Sequence, residues 1–463
     1  MRRERAPGDV CVSPPSMKTV FITSFHILIG RNILATDALR AVLARGIRVV
    51  LIVPDYKKEY FVRQFGGPGV VVEGIAAYSF SRAPAGFFFK RLARPMAGSR
   101  TSLLKARQKL FIEKRIFYYA FFLLPARLLG ATRLGARLAR FLDFHLASKK
   151  YFFRPLFERY RPALVVATEV NDENDVALLQ DAKRCGIPTL GLVRSWDGPT
   201  NFLMRCVPDR VAVWNTMLKS ILVTRHLVPA EAVHVTGIPH YDRYARGPTM
   251  SREAFFAQIG ADPAKRLILY GPVTDFRLPE NDVDTHVLRI LSRLDATILV
   301  RLPPAAVVTM DRSAFPPNVR FQDSGLLFKN RGDSELTPED DERLLNDLAW
   351  CDLMVSGPGT INIDAAFLDK PNVLINFFPG KKTFYEGIVE YGFDHIQPIL
   401  QSKGVRVAKS EQELVMLVEQ YFRDPGLDRE GRARIVREQC GFVDGMSGRR
   451  LAALIVGAVG ETI

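Results

Sequence analysis

A glycine-containing loop between two apolar runs holds the residues of this sequence that are best suited to bind a ligand. The loop SGPGT, residues 356–360, follows a short apolar run and precedes an apolar segment with helical spacing. This order predicts a strand, a turn and a helix capped by Thr360. Glycine lets the backbone approach a ligand closely, and the start of a helix attracts phosphate. The alternative is an ordinary turn whose glycines only form the corner. The binding hypothesis assigns a diphosphate to Ser356, Gly357, Gly359 and Thr360.

Polar residues at the ends of other predicted strands extend this hypothesis. Asp364 lies one turn into the helix after the loop, where a carboxylate can accept hydrogen bonds from ribose hydroxyls. Arg301 follows a predicted strand, and its planar guanidinium suits a phosphate held by two hydrogen bonds. Gly271 and Thr274 follow an earlier strand, and Lys381 adds a cation after a later one. Since the carboxyl ends of parallel strands meet at one edge of a sheet, we expect these residues to share a cleft.

Three further residues are candidates for proton transfer. His26 follows the first predicted strand, and its ordinary pKa near neutrality suits a general base. A lone histidine in such a loop can equally be structural. Glu169 and Asp197 follow two later strands and are the alternatives to His26.

The composition is that of a folded protein. The chain has 463 residues, of which 48% are hydrophobic and 24% charged, enough for two domains with separate cores. No apolar run reaches the length of a transmembrane helix, and the first 16 residues lack the apolar core of a secretory signal. The five cysteines are scattered without a CxxC pair. This pattern indicates neither a disulfide framework nor a zinc site, and it favours a reduced cytoplasmic setting.

One region holds nearly all of the net charge. Residues 82–161 contain 19 Lys and Arg against three acidic residues, whereas the net charge of the whole chain is +15. Phe, Leu and Tyr occur there among the cations at helical spacing, a pattern typical of helices that lie in the interface of anionic membranes. The alternative is a helical insertion that packs on its own domain with a solvated charged face. Charge confined to one surface argues against a general nucleic-acid-binding protein, so we predict an anionic membrane surface as the partner.

The rest of the sequence alternates predicted strands and helices in two successive halves. We predict a disordered leader over residues 1–16, a first domain over 17–247 that carries the basic insertion, and a second domain over 248–440. The terminal segment, 441–463, contains a helix that is a candidate to cross back to the first domain. Each half predicts an α/β fold with a doubly wound sheet, and the two domains face each other across a cleft.

Five stretches of the sequence resemble one enzyme family. They are SWDGPT, DRVAVWN, VTGIPHYDRY, SGPGTINIDAAFLDKPNVLINF and DGMSGRRLAALI. They are similar to motifs of GT-B glycosyltransferases, particularly bacterial surface-polysaccharide enzymes, and of the related CDP-glycerol glycerophosphotransferases. The resemblance covers the chain from Ala163 onward and implies two facing Rossmann-like domains. Asp364 stands where the family usually has Glu, and His26 lacks the glycine-rich surroundings of the base in inverting members.

The resemblance implies transfer of a sugar from a nucleoside-diphosphate sugar to a membrane-associated acceptor, either lipid-linked or a polysaccharide. The enzyme would act on the inner face of the plasma membrane. Arg301 and Lys381 would stabilise the departing diphosphate without a metal or other cofactor. His26, or failing it Glu169 or Asp197, would remove the acceptor proton with inversion. Three alternatives remain: a UDP-sugar 2-epimerase, a CDP-glycerol glycerophosphotransferase, and a non-catalytic membrane-binding protein on the same scaffold.

Overall fold

Two parallel β-sheets, one in each half of the chain, organise the structure. The computed structural model describes residues 17–76, 84–146, 150–275, 278, 282–304, 307–328 and 333–460. The predicted leader, residues 1–16, lies outside the described residues.

The first sheet has seven strands, all parallel to their neighbours. They are β1 (Thr19–Thr23), β2 (Arg48–Pro54), β3 (Val70–Ile75), β4 (Leu164–Ala167), β5 (Thr189–Leu192), β6 (Arg210–Val213) and β7 (Val233–Val235). Their order across the sheet is β3-β2-β1-β4-β5-β6-β7. The direction of winding therefore reverses between β1 and β4, as in a doubly wound sheet.

The helices of the first half of the chain lie partly on the two faces of this sheet and partly in the basic insertion. They are α1 (Asp37–Leu43), α2 (Lys58–Phe65), α3 (Pro84–Met96), α4 (Arg100–Glu113), α5 (Ile116–Tyr118), α6 (Leu124–Gly130), α7 (Arg133–Leu146), α8 (Arg154–Tyr160), α9 (Glu173–Arg184), α10 (Gly198–Asn201), α11 (Thr216–Thr224) and α12 (Tyr241–Tyr244). Alternate residues of a strand point to opposite faces. Val20 and Ile22 of β1 therefore share a core with α1 and α2, whereas Phe21 packs with α8 and α9.

The second sheet repeats this arrangement with six parallel strands. They are β8 (Arg266–Gly271), β9 (Ala296–Arg301), β10 (Val319–Gln322), β11 (Leu353–Ser356), β12 (Asn372–Ile375) and β13 (Arg406–Ala408), in the order β10-β9-β8-β11-β12-β13. The helices are α13 (Arg252–Gln258), α14 (Val283–Leu291), α15 (Pro338–Trp350), α16 (Ile361–Phe367), α17 (Gln397–Gln401), α18 (Glu411–Arg423) and α19 (Arg429–Cys440). The winding reverses between β8 and β11, so the predicted fold class of two Rossmann-like domains is confirmed.

The last helix, α20 (Ser447–Ala458), packs on the first domain. The N–H groups of Ser447 and Gly448 donate to the Asp242 carboxylate at 2.9 and 2.7 Å. Leu451 is buried in the same core as α1 and the first sheet. The end of the chain therefore ties the second half of the sequence to the first sheet.

The basic insertion contacts both domains. It consists of α3 to α7, with a π-helical turn at Tyr119–Leu123 between α5 and α6. From α4, the Thr101 N–H and hydroxyl donate to the Asp394 carboxylate at 2.7 and 3.0 Å. Gln108 Nε2 donates to the Tyr385 carbonyl oxygen at 3.1 Å. The helix α4 therefore bridges the first domain to the second.

A buried ion pair also joins the two domains. Lys57 Nζ lies 2.8 Å from Glu335 Oε1 and donates to the Ser334 carbonyl oxygen at 3.1 Å. Burial raises the pKa of Glu335 to about 7, although Lys57 opposes that shift. Removing one member of such a pair leaves an uncompensated buried charge, which costs about 3–5 kcal/mol. The pair therefore favours the arrangement in which the two domains touch.

Two local features depart from the sequence-based expectations. The spacing of residues 31–44 predicts one helix, whereas the structure has a π-helical turn, Gly30–Leu34, followed by α1. The break falls at Thr36, whose hydroxyl caps α1 by accepting the Ala38 N–H at 3.2 Å. The strands β3 and β13 were not predicted; both lie at the edges of their sheets and are only partly buried.

Replacing Leu451 by Ala is expected to lower the melting temperature much more than replacing Leu454 by Ala. Leu451 is 1% exposed within the core of the first domain, whereas Leu454 is half-buried on the same helix. A buried Leu→Ala change costs about 2–5 kcal/mol. Thermal denaturation followed by circular dichroism measures both variants, and equal shifts would contradict the packing of α20 on the first sheet.

Candidate functional site

The carboxyl ends of the two sheets face each other across a cavity of about 310 Å³. Its lining from the first domain is Leu28, Arg31, Asn32, Arg194, Ser195, Trp214 and His240. Its lining from the second domain is Gly271, Pro272, Thr274, Arg301, Leu302, Pro303, Pro304, Ser324, Leu336, Asp340, Asp341, Leu344, Ser356, Gly357, Gly359, Thr360, Ile361 and Asp364. Eight of the nine residues predicted to bind the donor are therefore brought together. The ninth, Lys381, is exposed and lies outside this lining.

The winding reversal of the second sheet places two predicted residues side by side. Gly271 ends β8 and Ser356 ends β11, and the two residues are partners in the register of these neighbouring strands. A doubly wound sheet has a crevice at such a reversal, where its ligands bind. The loops 271–274 and 356–360 therefore form one wall of the cavity.

Asn362, rather than Thr360, fixes the loop SGPGT. The Gly359 N–H donates to Asn362 Oδ1 at 2.7 Å, and Asn362 Nδ2 donates to Ser356 Oγ at 2.9 Å. Thr360 already has helical backbone angles, φ −62° and ψ −31°, and its side chain makes no capping hydrogen bond. The predicted Thr360 cap is therefore wrong, because a capping side chain requires an extended backbone. The Gly359 N–H is also already used within the loop.

Asp284 holds the other loop of this wall. Its carboxylate accepts the Val273 N–H at 2.8 Å, the Thr274 N–H at 3.3 Å and the Tyr270 hydroxyl at 2.5 Å. Thr274 has a φ of 79°, which is unfavourable for a β-branched residue. Strained backbone of this kind persists where surrounding contacts impose it, and it is common at binding sites. The buried Asp284 supplies those contacts here.

Arg301 lines the cavity, but its guanidinium is engaged by the protein. Nη1 donates to Asp347 Oδ2 at 2.7 Å and to Gln322 Oε1 at 2.6 Å, and Nη2 donates to the Asp340 carbonyl oxygen at 2.8 Å. Burial raises the pKa of Asp347 and Arg301 opposes that shift. The charge of Arg301 is thus balanced inside the second domain, and the donors that the sequence analysis assigned to a phosphate are largely used.

Asp364 presents a buried carboxylate to the cavity. It is 3% exposed, and its Oδ1 makes no well-formed hydrogen bond with a described residue. Burial raises the pKa of Asp364 to about 6, although Arg31 and then the neighbouring Tyr241 hydroxyl act to lower it. Leaving a buried acceptor without a partner costs about 1–3 kcal/mol. A ligand hydroxyl at this position would remove that cost.

Three residues that the sequence analysis did not assign share the corner of Asp364. Arg31 Nε lies 3.7 Å from Asp341 Oδ1, and both side chains are buried. His240 is 2% exposed. The sequence held two signals for them: Arg31 comes directly after the loop that follows β1, and His240 lies within VTGIPHYDRY. Neither signal indicates which way the side chain points.

The three predicted proton-transfer residues cluster beside the cavity, behind Arg194. Arg194 lines the cavity, and its Nε donates to Glu169 Oε2 at 2.6 Å. The other Glu169 oxygen accepts the Asn171 N–H at 3.2 Å. Asp197 is held by the Ser195 hydroxyl and by the Asn201 amide, the latter at 2.9 Å. His26, Glu169 and Asp197 are absent from the described lining of the cavity and adjoin it through Arg194.

Their environments shift the three pKa values differently. Burial, and then the charge of Arg194, hold the pKa of His26 well below its ordinary value, so the ring is neutral at pH 7. Burial raises the pKa of Glu169 against the effect of Arg194. Burial also acts to raise the pKa of Asp197, but His395 and Arg194 outweigh it and the pKa is lowered. His26 Nδ1 accepts the Leu28 N–H at 3.2 Å, the one hydrogen bond of its ring within the described ranges.

Metal ligands do not cluster in the part of the chain that is described. There, no three His, Cys, Asp or Glu side chains come together as a set able to hold a metal ion. The acidic residues of the cavity instead face arginines, as Asp341 faces Arg31 and Arg243 at 3.7 and 3.6 Å.

The helical insertion exposes an apolar and basic face. Of the 25 large apolar side chains that are exposed in the described chain, 15 lie between Phe87 and Leu146. Phe117 and Phe121 are 80% and 78% exposed, with their rings stacked 6.3 Å apart. Exposed cations of the same segment include Arg107, Lys109, Lys114, Arg115, Arg133 and Arg137. No helix among the described residues combines the length and hydropathy needed to cross a bilayer.

Comparison with known proteins bears on the fold. No protein-family model matches the chain, and no curated protein matches it. Among solved structures, it is similar to a UDP-N-acetylglucosamine 2-epimerase, with 12% identity, 96% of each chain covered and a TM-score of 0.53. It is also similar to the UDP-GlcNAc 2-epimerase of Neisseria meningitidis, a structure with bound UDP-GlcNAc, with 11% identity, 95% of this chain and 100% of that chain covered and a TM-score of 0.52.

A glycosyltransferase is found by the same comparison. The glycotransferase of kitacinnamycin is 14% identical to this chain, with a TM-score of 0.51. The match covers 96% of this chain and 100% of that chain. Structures of both enzyme classes therefore share the two facing Rossmann-like domains, the GT-B arrangement. At these identities the similarity establishes the fold, and the reaction has to be argued from the site.

The pH dependence of stability is expected to change when Asp364 is replaced by Asn. The folded-state pKa of about 6 lies above the ordinary value of about 4, so between these pH values the folded state binds more protons than the unfolded state. Stability attributable to this group is therefore lost as the pH rises through that window. The fall in melting temperature from about pH 4.5 to about pH 7.5 should be larger for the wild type than for Asp364→Asn.

The matched control for this experiment is Asp295→Asn, on a carboxylate that is 85% exposed. It should keep the pH dependence of the wild type. Identical pH profiles for the wild type and Asp364→Asn would show that the Asp364 carboxylate is not perturbed by burial.

Proposed function

We propose that this protein is a glycosyltransferase that takes a sugar from a nucleoside diphosphate and transfers it to a membrane-associated acceptor. The observation that carries the proposal is the cavity between the two sheet edges. One wall has two backbone loops and the buried Asp364 carboxylate, whose Oδ1 makes no well-formed hydrogen bond with a described residue, and the opposite side adjoins the cluster of His26, Glu169 and Asp197. Donor recognition and proton transfer are thus separated on the two domains, as a reaction between two substrates requires.

In this proposal the second domain holds the donor. The loops 271–274 and 356–360 lie at the winding reversal, the usual site of a nucleotide in a doubly wound sheet. Asp364 accepts hydrogen bonds from the ribose, because its Oδ1 is buried and makes no well-formed hydrogen bond in the described chain. Ser356, Gly357, Gly359 and Thr360 surround the diphosphate, and Gly271 and Thr274 close the same wall.

We assign the removal of the acceptor proton to His26. Its lowered pKa keeps the ring neutral at pH 7, whereas both oxygens of Glu169 and both of Asp197 already accept hydrogen bonds. The bond from the Leu28 N–H places the proton of the neutral ring on Nε2. The ring therefore has to release Leu28 before Nδ1 can accept a proton. That change costs one long hydrogen bond of 3.2 Å.

The acceptor side of this proposal is the apolar, basic face of the insertion. Aromatic and aliphatic side chains that enter the interface of a bilayer, together with cations facing anionic headgroups, bind a protein to membranes without a spanning helix. Lys105 of α4 donates to Asn201 Oδ1 at 2.6 Å, and Asn201 holds Asp197. The same helices therefore reach from the proposed membrane surface to the proton-transfer cluster. A lipid-linked or polysaccharide acceptor at the inner face of the plasma membrane fits this geometry.

A UDP-sugar 2-epimerase is the second candidate, favoured by the similarity of fold to two such enzymes over at least 95% of this chain. The two reactions differ in their need for an acceptor. Incubation with the nucleotide sugar alone separates them, since an epimerase converts the sugar and a transferase leaves it unchanged apart from slow hydrolysis.

Selective stabilisation by one nucleotide is the first expected result. Purified protein is screened by thermal shift against UDP, GDP, CDP, CDP-glycerol and common UDP- and GDP-sugars. A ligand that binds only the folded state at about 100 times its Kd adds about 2.7 kcal/mol, which corresponds to a rise of roughly 3 °C for a chain of 463 residues. Asp364→Ala should reduce that rise, because it removes the proposed ribose contact.

Asp295→Ala serves as the control, since its carboxylate is exposed and far from the cavity lining. It should keep the full rise. No rise with any nucleotide in a folded protein would contradict the proposed function. A rise that Asp364→Ala leaves unchanged would remove Asp364 from the donor site, and a response to CDP-glycerol alone would favour glycerophosphate transfer.

Replacing Phe117 and Phe121 together by Ser is expected to weaken binding to anionic vesicles. Burying one aromatic side chain contributes about 1.5–3 kcal/mol, so losing two should lower the partition coefficient by roughly 100-fold or more. Both side chains are more than three-quarters exposed in the free protein, so the double variant should fold normally. Co-sedimentation with phosphatidylcholine vesicles, with and without phosphatidylglycerol, measures the effect.

Met416→Ser is the matched control, an exposed apolar residue on α18 of the second domain. It should bind vesicles as the wild type does. Binding by the wild type should require phosphatidylglycerol and fall as salt is raised, because the cations are screened. Binding that ignores lipid charge, salt and the Phe117/Phe121 substitution would refute the proposed membrane surface.

A further inference from the structure

The proposed transfer leaves a nucleoside diphosphate whose growing negative charge needs a cation in the cavity. The two cations that the sequence analysis assigned to it are poorly placed. Arg301 is held by Asp347, Gln322 and a backbone carbonyl oxygen. Lys381 is exposed and outside the cavity lining. The charge therefore has to come from elsewhere in the lining.

Arg31 and Arg194 both line the cavity and each donates only through Nε within the described residues, but Arg194 is paired with Glu169 at 2.6 Å whereas Arg31 has no carboxylate at hydrogen-bond distance. Arg31 is 8% exposed, and its Nε donates to Asn32 Oδ1 at 2.9 Å. Its closest approach to a carboxylate is 3.7 Å, from Nε to Asp341 Oδ1, which is too long for a hydrogen bond. The two Nη atoms donate to no residue in the described part of the chain. A guanidinium has five N–H groups, so about four remain for a ligand.

The backbone around Arg31 is also unusual. Arg31 lies in the π-helical turn Gly30–Leu34 at the start of the first domain. Turns of this kind interrupt ordinary helices and are frequent at functional sites. The turn ends before Thr36, which caps α1, so Arg31 stands between the loop after β1 and the first regular helix.

His240 adds a second group with unused capacity. It is 2% exposed and lines the same cavity. Neither of its ring nitrogens has a hydrogen-bond partner within the described residues. Arg31 and His240 also both line a smaller cavity of about 60 Å³, so the two side chains form a common wall between the two spaces. Burying an imidazole with both nitrogens unpaired is costly unless a ligand supplies a partner.

We infer that Arg31 and His240 of the first domain form the subsite for the diphosphate, contacting it from the side opposite the loop SGPGT. This inference rests on the proposed function and adds its leaving-group contacts. Arg31 donates two parallel hydrogen bonds to phosphate oxygens, the geometry for which a guanidinium is suited. His240 donates one more through a ring N–H. The diphosphate then contacts both domains, so donor binding and domain contact support each other.

The neighbouring carboxylates are compatible with an anion here. Asp341 is shared between Arg31 and Arg243, at 3.7 and 3.6 Å. Burial raises the pKa of Asp341 and of Asp364, the latter to about 6, so both side chains are less acidic than ordinary carboxyls. Asp364 is the proposed acceptor for the ribose hydroxyls. Arg31 stays charged because a guanidinium does not lose its proton in proteins, and no carboxylate occupies its Nη groups within the described residues.

The test compares ligands with and without phosphate on Arg31 variants. Isothermal titration calorimetry measures UDP, GDP and CDP, their nucleosides, and inorganic pyrophosphate, on the wild type, Arg31→Gln and Arg31→Lys. Charge-assisted hydrogen bonds contribute about 1.5–3 kcal/mol, so Arg31→Gln should weaken the nucleoside diphosphate and pyrophosphate by roughly 10- to 100-fold. Arg31→Lys keeps the charge without the planar fork and should lie in between. Nucleoside affinity should stay within about twofold, which also shows that the variants fold.

Arg423→Gln is the matched control, an arginine on α18 that is 74% exposed and lies outside the lining of both cavities. It should bind all ligands as the wild type does. His240→Phe should weaken the diphosphate and pyrophosphate but not the nucleoside, which separates a phosphate contact from a packing role.

The binding results distinguish a failure of the phosphate subsite from a failure of the proposed function. Equal loss of diphosphate and nucleoside binding in Arg31→Gln, or no loss, overturns the subsite and leaves the nucleotide site standing. Pyrophosphate binding that needs Arg31 without any nucleotide binding supports the subsite and overturns the proposed function. A wild type that binds neither ligand overturns both.

Discussion

Every strand in both sheets runs parallel to its neighbours, and the site depends on that constraint. In a parallel sheet all strands end at the same edge, so residues far apart in sequence that follow neighbouring strands come together. β1 lies beside β4, which brings the loop of His26 next to that of Glu169, and Thr23 and Thr168 hydrogen-bond there at 3.1 Å. β8 lies beside β11, which pairs Gly271 with Ser356. The two winding reversals face each other, and the cavity is the space between them.

Some buried polar groups around this cavity lack hydrogen-bond partners within the described chain. Buried polar groups in folded proteins nearly always have partners. Here His240, Asp341 and Asp364 each have at least one buried polar atom without a hydrogen bond from the described chain, and Thr274 has a strained backbone. Unpaired buried polar atoms also occur away from the cavity, for example in Gln180. At the cavity they coincide with open volume and a strained backbone, an arrangement that a ligand would complete.

The parts of this structure that could be predicted from sequence follow from local patterns. Apolar runs ending in glycine and polar residues located most strands, and a strand end locates a residue at the edge of a sheet. That reasoning placed Gly271 and Ser356 at the cavity correctly. It could not show that Arg301 is bound by Asp347, because that contact depends on how α15 packs against β9. Nor could it choose Asn362 over Thr360 in the loop, since the choice follows from the backbone angles of Thr360.

Side-chain direction was the main information that the sequence lacked. Arg31 was read as one residue of a regular helix, in which it would have had an ordinary helical neighbourhood. The π-helical turn instead leaves it buried at the cleft, close to carboxylates contributed by the other domain. A contact between residues 31 and 341 leaves no local trace in either segment. Such a contact can be identified only from the three-dimensional arrangement of the two domains.

The fold alone is compatible with either an epimerase or a transferase, and the difference has to lie on the acceptor side. An epimerase that acts on a soluble nucleotide sugar has no need of a large apolar surface, and exposed patches of that kind usually mark an interaction site. Here α4 joins such a surface to the loop that carries Asp197 and also contacts the second domain through Asp394. A partner bound at the insertion would therefore act on both sides of the cleft at once. That linkage favours a reaction in which a membrane-bound acceptor meets the donor between the two domains.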